Sequence, residues 1–327
     1  MSFHGREVLI GHVNAGRVSA SANINVEGTL STVDFTSSGH AILSGSVVCS
    51  VTELHLGAAA GAAAFGTAVG YGAVASVGGA VAVGSVSLAN QFNATSIGSG
   101  ATASGLHALS LGSAARASAS VSMALGVGAD ASGVSSMALG FGSTASGVKA
   151  VAIGFETEGT GLNGVAIGAS AAAVGPGSIA LGSTAAASSS YSMAIGFGAN
   201  VTGGSSIGIG TNVELTDAVE SVVVGGGSTV TPSEGHVSTK SVLLGWNNDA
   251  AGMLGRVSLF GSDGLVSGSV SGCTMLGWGS TVTGTLTDGL VLGHRSAIVT
   301  SAGGNGSNAI VIGNGSTLSG TGAGSSV

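Results

Sequence analysis

Residues 122 to 168 read SMALGVGADASGVSSMALGFGSTASGVKAVAIGFETEGTGLNGVAIG, and four aliphatic-Ala-aliphatic-Gly units recur there at a fixed 14-residue interval. A fixed internal period is the first feature to seek in a sequence, because it identifies repeat architectures. Working outward from this stretch, the same spacing holds without a slip for eleven unit glycines: Gly70, Gly84, Gly98, Gly112, Gly126, Gly140, Gly154, Gly168, Gly182, Gly196 and Gly210.

The residues around each unit glycine alternate in character. The residue before the glycine is always aliphatic, the residue three before it is aliphatic except at Thr67 and Thr95, and the residue between them is small. This period of two predicts a short strand. A second small column five residues after the glycine predicts another strand packed on the first, with glycines at the turns: Ala103, Ala117, Ala131, Ala145, Ala173 and Ala187. We therefore predict an all-β fold, a parallel β-solenoid built from 14-residue coils.

The period divides the chain into three predicted regions. Residues 1–56 lack the 14-residue spacing but alternate between apolar and polar residues, which predicts a β segment that caps the solenoid or attaches it to a particle. Residues 57–212 form the regular roll. Residues 213–327 form an irregular roll with loop insertions, because the later units are more widely and less evenly spaced, and these units end at Gly225, Gly245, Gly261, Gly277, Gly293 and Gly313.

Composition excludes several other classes of protein. The chain has 62 glycines, 6% charged residues and 4% aromatic residues, which does not suit a wide globular core. A net charge of −7 argues against a nucleic-acid partner. Cys49 and Cys273 lie far apart without metal-ligand spacing, which favours buried free thiols. Residues 54–115 contain no Asp, Glu, Lys or Arg, but the coil period runs through them, so we expect no membrane insertion.

The repeat units resemble the head repeats of YadA-type trimeric autotransporter adhesins. The resemblance rests on Ser-Met-Ala-Leu-Gly from Ser122, Ser-Ile-Ala-Leu-Gly from Ser178 and Ser-Met-Ala-Ile-Gly from Ser192, each followed by small residues, and it extends over about Gly57 to Gly313. It implies a left-handed parallel β-roll and a homotrimer. A trimer also has a physical reason, since so thin a roll buries little apolar surface alone.

The sequence departs from a whole adhesin of this family. Residues 1–20 lack a long apolar stretch, no sustained heptads follow the repeats, and the last residues, GNGSTLSGTGAGSSV, lack the alternation of a barrel strand. We therefore expect a fibre or decoration protein of a virus particle, exposed on the virion, joined to other virion proteins through residues 1–56 and bound to a host surface glycan or protein. The alternative is a passenger fragment of a bacterial trimeric surface adhesin.

Aromatic residues concentrate directly after the unit glycines. Tyr71, Phe141, Phe155 and Phe197 hold this position in the regular roll, and Trp246 and Trp278 hold it in the irregular roll. Large apolar rings are usually buried, which favours an interface between chains as their location. The alternative is an outward platform for sugar rings.

The irregular region is where we expect receptor binding. Its loops carry bulk and charge that the regular roll lacks, and binding residues tend to lie on loops held by a rigid scaffold. The candidates are Trp246, Asn247, Asn248, Asp249 and Trp278.

No constellation predicts catalysis, a metal or a cofactor. A polysaccharide-degrading tail spike remains a further alternative, and it would need paired carboxylates in a cleft. The candidate acids for such a pair are Glu156 with Glu158, or Glu214 with Asp217 and Glu220. The seven histidines show no His-x-His or His-x-x-x-His pair. We therefore predict a protein that is not an enzyme.

Overall fold

The structure is a computed structural model that describes residues 60–63, 65–231, 238–251, 254–268, 270–279, 281–284, 286–299 and 309–319, and the strands of residues 2–56 given below. It contains two compact units, Met1–Thr52 and Glu53–Val327. The strand Glu53–Leu56, which falls in the predicted segment 1–56, pairs with Gly66–Val69 and so belongs to the second unit.

The first unit is itself built from parallel strands. They pair Val8 with Ile24 and Val18 with Phe35, and both offsets exceed the repeat of the regular roll, so that the coils of this unit are longer. This longer period was not predicted from the sequence. One sheet contains Ser2–Phe3, Val13–Ala20 and Leu30–Ser37, and the other contains Glu7–Ile10, Asn23–Glu27 and Ala41–Ser44.

The second unit is a parallel β-solenoid with two sheets, which confirms the predicted fold class. Its A strands end directly before the unit glycine or run through it, and each pairs in parallel with the A strands of the adjacent coils. The A strands are Glu53–Leu56, Gly66–Val69, Val81–Val83, Thr95–Ile97, Leu109–Leu111, Met123–Leu125, Met137–Leu139, Val151–Ile153, Val165–Ile167, Ile179–Leu181, Met193–Ile195, Ile207–Ile209, Val222–Val224, Val242–Leu244, Leu254–Ser262, Val270–Trp278, Leu286–His294 and Ala309–Asn314.

The B strands form the second sheet, which confirms the second strand predicted in each coil. In the regular roll they pair at the same offset as the sequence repeat, as in Asp130 with Thr144. The strands Ala218–Val219 and Ser238–Thr239 form a small extra pair. The B strands are Gly61–Ala62, Val74–Ala75, Leu88–Ala89, Thr102–Ala103, Arg116–Ala117, Asp130–Ala131, Thr144–Ala145, Glu158–Gly159, Ala172–Ala173, Ala186–Ala187, Asn200–Val201, Glu214–Leu215, Thr229–Thr231, Asp249–Ala251, Leu265–Ser267, Thr281–Thr283, Ala297–Val299 and Thr317–Ser319.

We name each coil by its unit glycine. The Gly126 coil begins with the A strand, passes the glycine into turn 1, continues through the B strand and returns through turn 2. Backbone hydrogen bonds link adjacent coils through strands and turns alike, for example from Arg116 N to Ala129 O (2.8 Å) and from Val121 N to Leu106 O (2.8 Å). The backbone polar groups are therefore satisfied by the stacking itself.

The inside of the regular roll is filled mainly by alanine, with buried serine at some positions such as Ser96 and Ser110. In each A strand the middle residue points inward and is buried, whereas its two aliphatic neighbours point outward. The B strand contributes one buried alanine, and turn 1 usually contributes another, as Ala117 and Ala115 do in one coil. A core one small side chain deep brings the two sheets close together and leaves the larger aliphatic residues on the outer surface.

The unit glycine is required by both conformation and space. Gly126 has φ of 136°, a region that L residues with side chains rarely adopt. A Cβ atom at this position would also overlap the carbonyl oxygen of Gly140 in the next coil. Because every coil of the regular roll stacks on the next in the same way, the same constraint recurs in each coil, which explains the spacing of the glycines in the sequence.

The later coils have a different interior. The buried A-strand residue becomes Val223, Leu243, Leu259, Met275, Val291 or Val311, and the B strands contribute Val230 and Ile298. The coils also become longer, since Leu243 pairs with Val223 on one side and with Leu259 on the other, and both separations exceed that of the regular roll. This part of the roll therefore has a core of large side chains.

Candidate functional surfaces

The outer surface of the A strands, which we call the A face, is an apolar strip along the solenoid. Its two columns consist of the aliphatic residues one and three positions before each unit glycine, and they are half-buried or exposed. Leu111 and Leu139, for example, are each 40% exposed. The largest apolar patch on a typical monomeric protein is roughly 300–600 Å². Eleven coils stacked at about 4.8 Å make this strip about 50 Å long, which is comparable with the largest patches of that kind, and such patches are often functional.

The outer surface of the B strands, the B face, is polar. Its first column is polar at Arg116, Asp130, Thr144 and Glu158 and apolar in some other coils, and its second column is mainly Ser and Thr. The coil therefore has one apolar and one polar outer face, with alanine between them. This division predicts that the B face contacts solvent and that the A face is covered in the working assembly.

The aromatic column lies at turn 1 and is exposed in the single chain. Tyr71, Phe141, Phe155 and Phe197 are between 51% and 66% exposed. Phe141 and Phe155, which are in adjacent coils, stack with ring centroids 5.4 Å apart and an interplanar angle of 8°. At these two coils the column therefore presents two stacked rings beside the A face.

The tryptophans of the same column have polar neighbours. The indole Nε1 of Trp278 donates a hydrogen bond to Asp263 Oδ2 (2.6 Å), and its ring centroid lies 5.2 Å from that of His294. His294 Nδ1 is 3.0 Å from Asn314 Oδ1. Trp246 lies against Gly226, where a Cβ atom would collide with the indole ring. We call Trp246, Asp263, Trp278 and His294 the tryptophan corner, of which both indoles are more than half exposed.

The five predicted receptor-binding residues do not share one surface. Trp246 and Trp278 are at turn 1, Asn247 follows at a turn position with φ of 51°, and Asp249 is on the B face. Asn248 is completely buried. Oriented to suit its neighbours, its side-chain amide donates to Gly261 O (3.0 Å) and accepts from Gly245 N (3.2 Å). Asn248 is therefore part of the interior and cannot contact a receptor. Asp263 and His294 were missed, because neither is adjacent to a tryptophan in sequence.

The candidate acids are exposed and do not face one another across a cleft. Glu156 occupies turn 1 with φ of 48°, and Glu158 is on the B face. Glu214, Asp217 and Glu220 are also exposed, and Glu220 Oε2 lies 3.7 Å from Lys240 Nζ. Within the described residues, no group of three or more His, Cys, Asp or Glu side chains is placed to hold a metal ion.

A cavity of about 460 Å³ opens on the A face of the irregular roll. Here the outer aliphatic column is interrupted by Ser258 and Thr274, and Arg256 and Asp288 are in register on either side of Gly272. The cavity combines one cation, one anion and two hydroxyl groups. Asp288 is the carboxylate among its described lining residues, so the cavity lacks the acid pair of a glycosidase.

Cys273 lines the same cavity and is a free thiol, as the sequence predicted. Burial raises its pKa from 9.0 to about 12, because the thiolate is desolvated there. The thiolate is the reactive form of cysteine, so Cys273 is inert near neutral pH. Cys49 lies outside the described residues.

Taken together, these surfaces define a class: a parallel β-solenoid with an alanine interior, one apolar outer face and one polar outer face. Comparison with protein families shows which known repeats these coils are similar to. The YadA head domain repeat matches residues 89–115, 103–129, 131–157 and 160–185, all within the regular roll. The matched residues are similar to YadA head repeats, which confirms the resemblance found in the sequence. A search of curated proteins gave no match.

The uncharged stretch 54–115 raised the possibility of a membrane span. Among the residues that the structure describes, no helix has the length and apolarity needed to cross a membrane.

Proposed function

We propose that the chain is a non-enzymatic adhesive fibre that works as a homotrimer on a biological surface. In the trimer, three left-handed rolls are parallel, their A faces point toward the three-fold axis and their B faces point to solvent. Residues 1–56 attach the fibre to its carrier, and the tryptophan corner binds a glycan or protein on the host.

The observation that carries this proposal is the A face. An alanine-rich interior buries little apolar area for each coil, whereas the aliphatic columns expose a strip of Leu, Ile, Val and Met that few polar residues interrupt. Burying apolar surface contributes roughly 25 cal/mol per Å². The larger hydrophobic contribution of the regular roll is therefore available only through association, and YadA head repeats belong to trimeric adhesins.

Two carriers are consistent with this fibre. From the sequence we predict a virus particle, on which the chain is a tail or capsid fibre. The match to YadA head repeats supports the alternative, in which the chain is the passenger part of a bacterial trimeric surface adhesin. The A face and the tryptophan corner have the same roles on either carrier.

Sedimentation velocity on the purified chain tests the assembly. We expect an elongated species of three times 30.4 kDa. Leu139→Glu places a charge on the A face and should yield monomers, whereas Thr144→Glu on the B face of the same coil should leave the trimer intact. A wild-type protein that sediments as a compact monomer would disprove the proposal.

Binding to host cells tests the adhesive site. Exposed indoles offer flat apolar faces to which sugar rings bind readily. We expect Trp278→Ala and Trp246→Ala to weaken binding of the labelled trimer to host cells at least tenfold. Phe197→Ala, which removes an exposed ring from the same column outside the tryptophan corner, should have little effect. Unchanged binding by the double tryptophan variant would move the receptor site elsewhere.

A further inference from the structure

The two turns of each coil carry exposed residues at opposite edges of the A face. The edge residue of turn 1 directly follows the unit glycine, and the edge residue of turn 2 comes seven positions later. The B strand lies between them. Along the chain, edge residues therefore alternate between the two edges at every seventh position.

In three consecutive coils, both edges are apolar. Val127, Phe141 and Phe155 occupy the turn 1 edge, and Val134, Val148 and Leu162 occupy the turn 2 edge; these six side chains are 42–54% exposed. On the N-terminal side, the edge residues are Ser113 and Ser120, and beyond them the turn 2 edge has Leu106 and Phe92 where the turn 1 edge has Ser99 and Ser85. On the C-terminal side, they are Ala169, Pro176, Ser183 and Ser190. Over these three coils the two edges are thus apolar at the same heights, and small or polar residues border this matched stretch on both sides.

A single chain cannot bring these two apolar strips together. Four residues, 157 to 160, separate the turns of the Gly154 coil, and at about 3.3 Å per residue they span about 13 Å. A ligand bound at one edge would account for one strip and would leave the other unexplained. The matched heights point instead to a partner that presents the opposite edge of the same coils, which is another copy of this chain.

We propose that the turn 1 strip of one copy packs against the turn 2 strip of the next copy and forms an edge clasp between protomers. This inference rests on the proposed trimer. In a closed ring of three, the contact is heterologous, so that one edge meets the other edge. The three-fold operation has no shift along the axis, so equal heights meet. With the A faces directed inward, each turn 1 edge is adjacent to a neighbour's turn 2 edge.

The rise of the solenoid interleaves the two strips. Coils stack at about 4.8 Å, so successive edge residues differ in height by about 2.4 Å. Phe155 of one copy then lies between the levels of Val148 and Leu162 of its neighbour. Phe141 lies in the same way between Val134 and Val148. The stack of Phe141 on Phe155 gives the neighbour a continuous apolar wall.

Disulfide trapping tests the clasp. In a Cys49→Ser background, Phe155→Cys with Leu162→Cys should give a covalent trimer under mild oxidation, seen on a non-reducing gel. A disulfide needs Cα atoms roughly 4.4–6.8 Å apart, so the two cysteines of one chain cannot bridge the B strand. Phe155→Cys alone and Leu162→Cys alone should remain uncrosslinked, because like edges do not meet. The buried Cys273 stays unreactive in all variants.

A pair on the same two edges at different heights is the matched control. Phe155→Cys with Leu106→Cys places the thiols three and a half coils apart, about 17 Å in height, and should give no covalent trimer. Crosslinking of this control would show a staggered assembly and overturn the clasp.

Sedimentation velocity distinguishes a failure of the edge clasp from a failure of the proposed homotrimer. A trimer without crosslinking of Phe155→Cys and Leu162→Cys would reject the clasp and leave the trimer intact. A monomer would reject both. If the cysteine pair disturbs folding, Phe155→Ser with Leu162→Ser gives a second measurement: we expect at least a tenfold weaker trimer, whereas Ser183→Ala with Ser190→Ala should not change it. Equal trimer stability for all three proteins would also overturn the clasp.

Discussion

The regular roll and the irregular roll use the same coil but fill it differently. At the inward position of the A strand, the regular roll has alanine, as at Ala138, and the irregular roll has large residues such as Leu243. The change occurs at Gly208, where a Cβ atom would lie 2.8 Å from Val201 Cγ2 and 3.1 Å from Leu215 Cδ1. At this coil, Val201 and Leu215 of the B strands fill the space that an A-strand side chain would otherwise occupy.

The comparison separates two sources of stability. In the regular roll, the interior contributes little hydrophobic burial, and the coil depends on its backbone ladder and on whatever covers the A face. In the irregular roll, the interior is a hydrophobic core in its own right, and longer coils accompany it. The regular roll should therefore depend more strongly on assembly than the irregular roll.

The largest effect should come from emptying the large core. Leu243→Ala removes a fully buried side chain and should lower the free energy of unfolding by about 2–5 kcal/mol. Leu265→Ala, on the partly exposed B face, is the matched control and should cost about 1 kcal/mol or less. Chemical denaturation of the intact protein measures both. Equal effects would mean that the irregular roll has no core of its own.

A larger side chain in the alanine interior of the regular roll should also be destabilising. Ala138→Leu inserts a large side chain among buried alanines and should cost about 1–3 kcal/mol, because the surrounding coils can yield little. Ala186→Leu, which adds the same volume on the B face, should change the stability by about 0.5 kcal/mol or less. A neutral result for Ala138→Leu would show that the alanine coils can widen as the later ones do.

The buried thiol gives the irregular roll its own dependence on pH. The pKa of Cys273 is raised to about 12, so the unfolded chain loses the thiol proton before the folded chain does. Stability is then fully present below pH 9 and decreases as the pH rises toward 12. At pH 10 the loss is on the order of 1 kcal/mol. We expect unfolding curves of the wild type and Cys273→Ala to diverge between pH 8 and pH 10, and parallel curves would contradict the shifted pKa.

The smallest predicted effect concerns the turns. Val86 and Asn247 occupy the same turn 1 position with φ of 56° and 51°, where asparagine is tolerated better than a β-branched residue. Val86→Asn should raise the free energy of unfolding by about 1 kcal/mol, and Asn247→Val should lower it by a similar amount. Thermal unfolding of the two variants should shift in opposite directions, and shifts in the same direction would show that side-chain contacts outweigh the backbone preference.

Much of the fold was predictable because stacking imposes one constraint in every coil. Any side chain at Gly126 would collide with the next coil, so a glycine is needed once in every coil. The 14-residue spacing of these glycines therefore reveals the length of the coil. The direction of the aliphatic columns was not predictable in this way, since alternation in a three-residue strand fits either face. The sequence predicted β structure in residues 1–56, but the coil period of the first unit was missed because its longer offsets, such as that from Val8 to Ile24, are not accompanied by a regular glycine.

The candidate surfaces were predictable only in part. The aromatic column follows from the glycine positions, so Phe141 and Phe155 could be placed at one corner from sequence alone. The burial of Asn248 could not be predicted, because its amide is satisfied by Gly245 and Gly261, and the latter belongs to the next coil. The turn 2 edge had a signal, the spacing of seven from Val127 to Leu162, but its meaning depends on knowing that the two turns are at opposite edges.

The exact repetition of the coil affects how the gene can change the number of coils. Deleting or duplicating residues 123 to 136 would join an A strand to an A strand with glycine, turns and faces in phase, and would alter the length by one step of about 4.8 Å. Misaligned recombination between similar DNA segments produces changes of this kind. The regular roll can therefore become longer or shorter in a single genetic event, while the irregular roll that follows it stays the same.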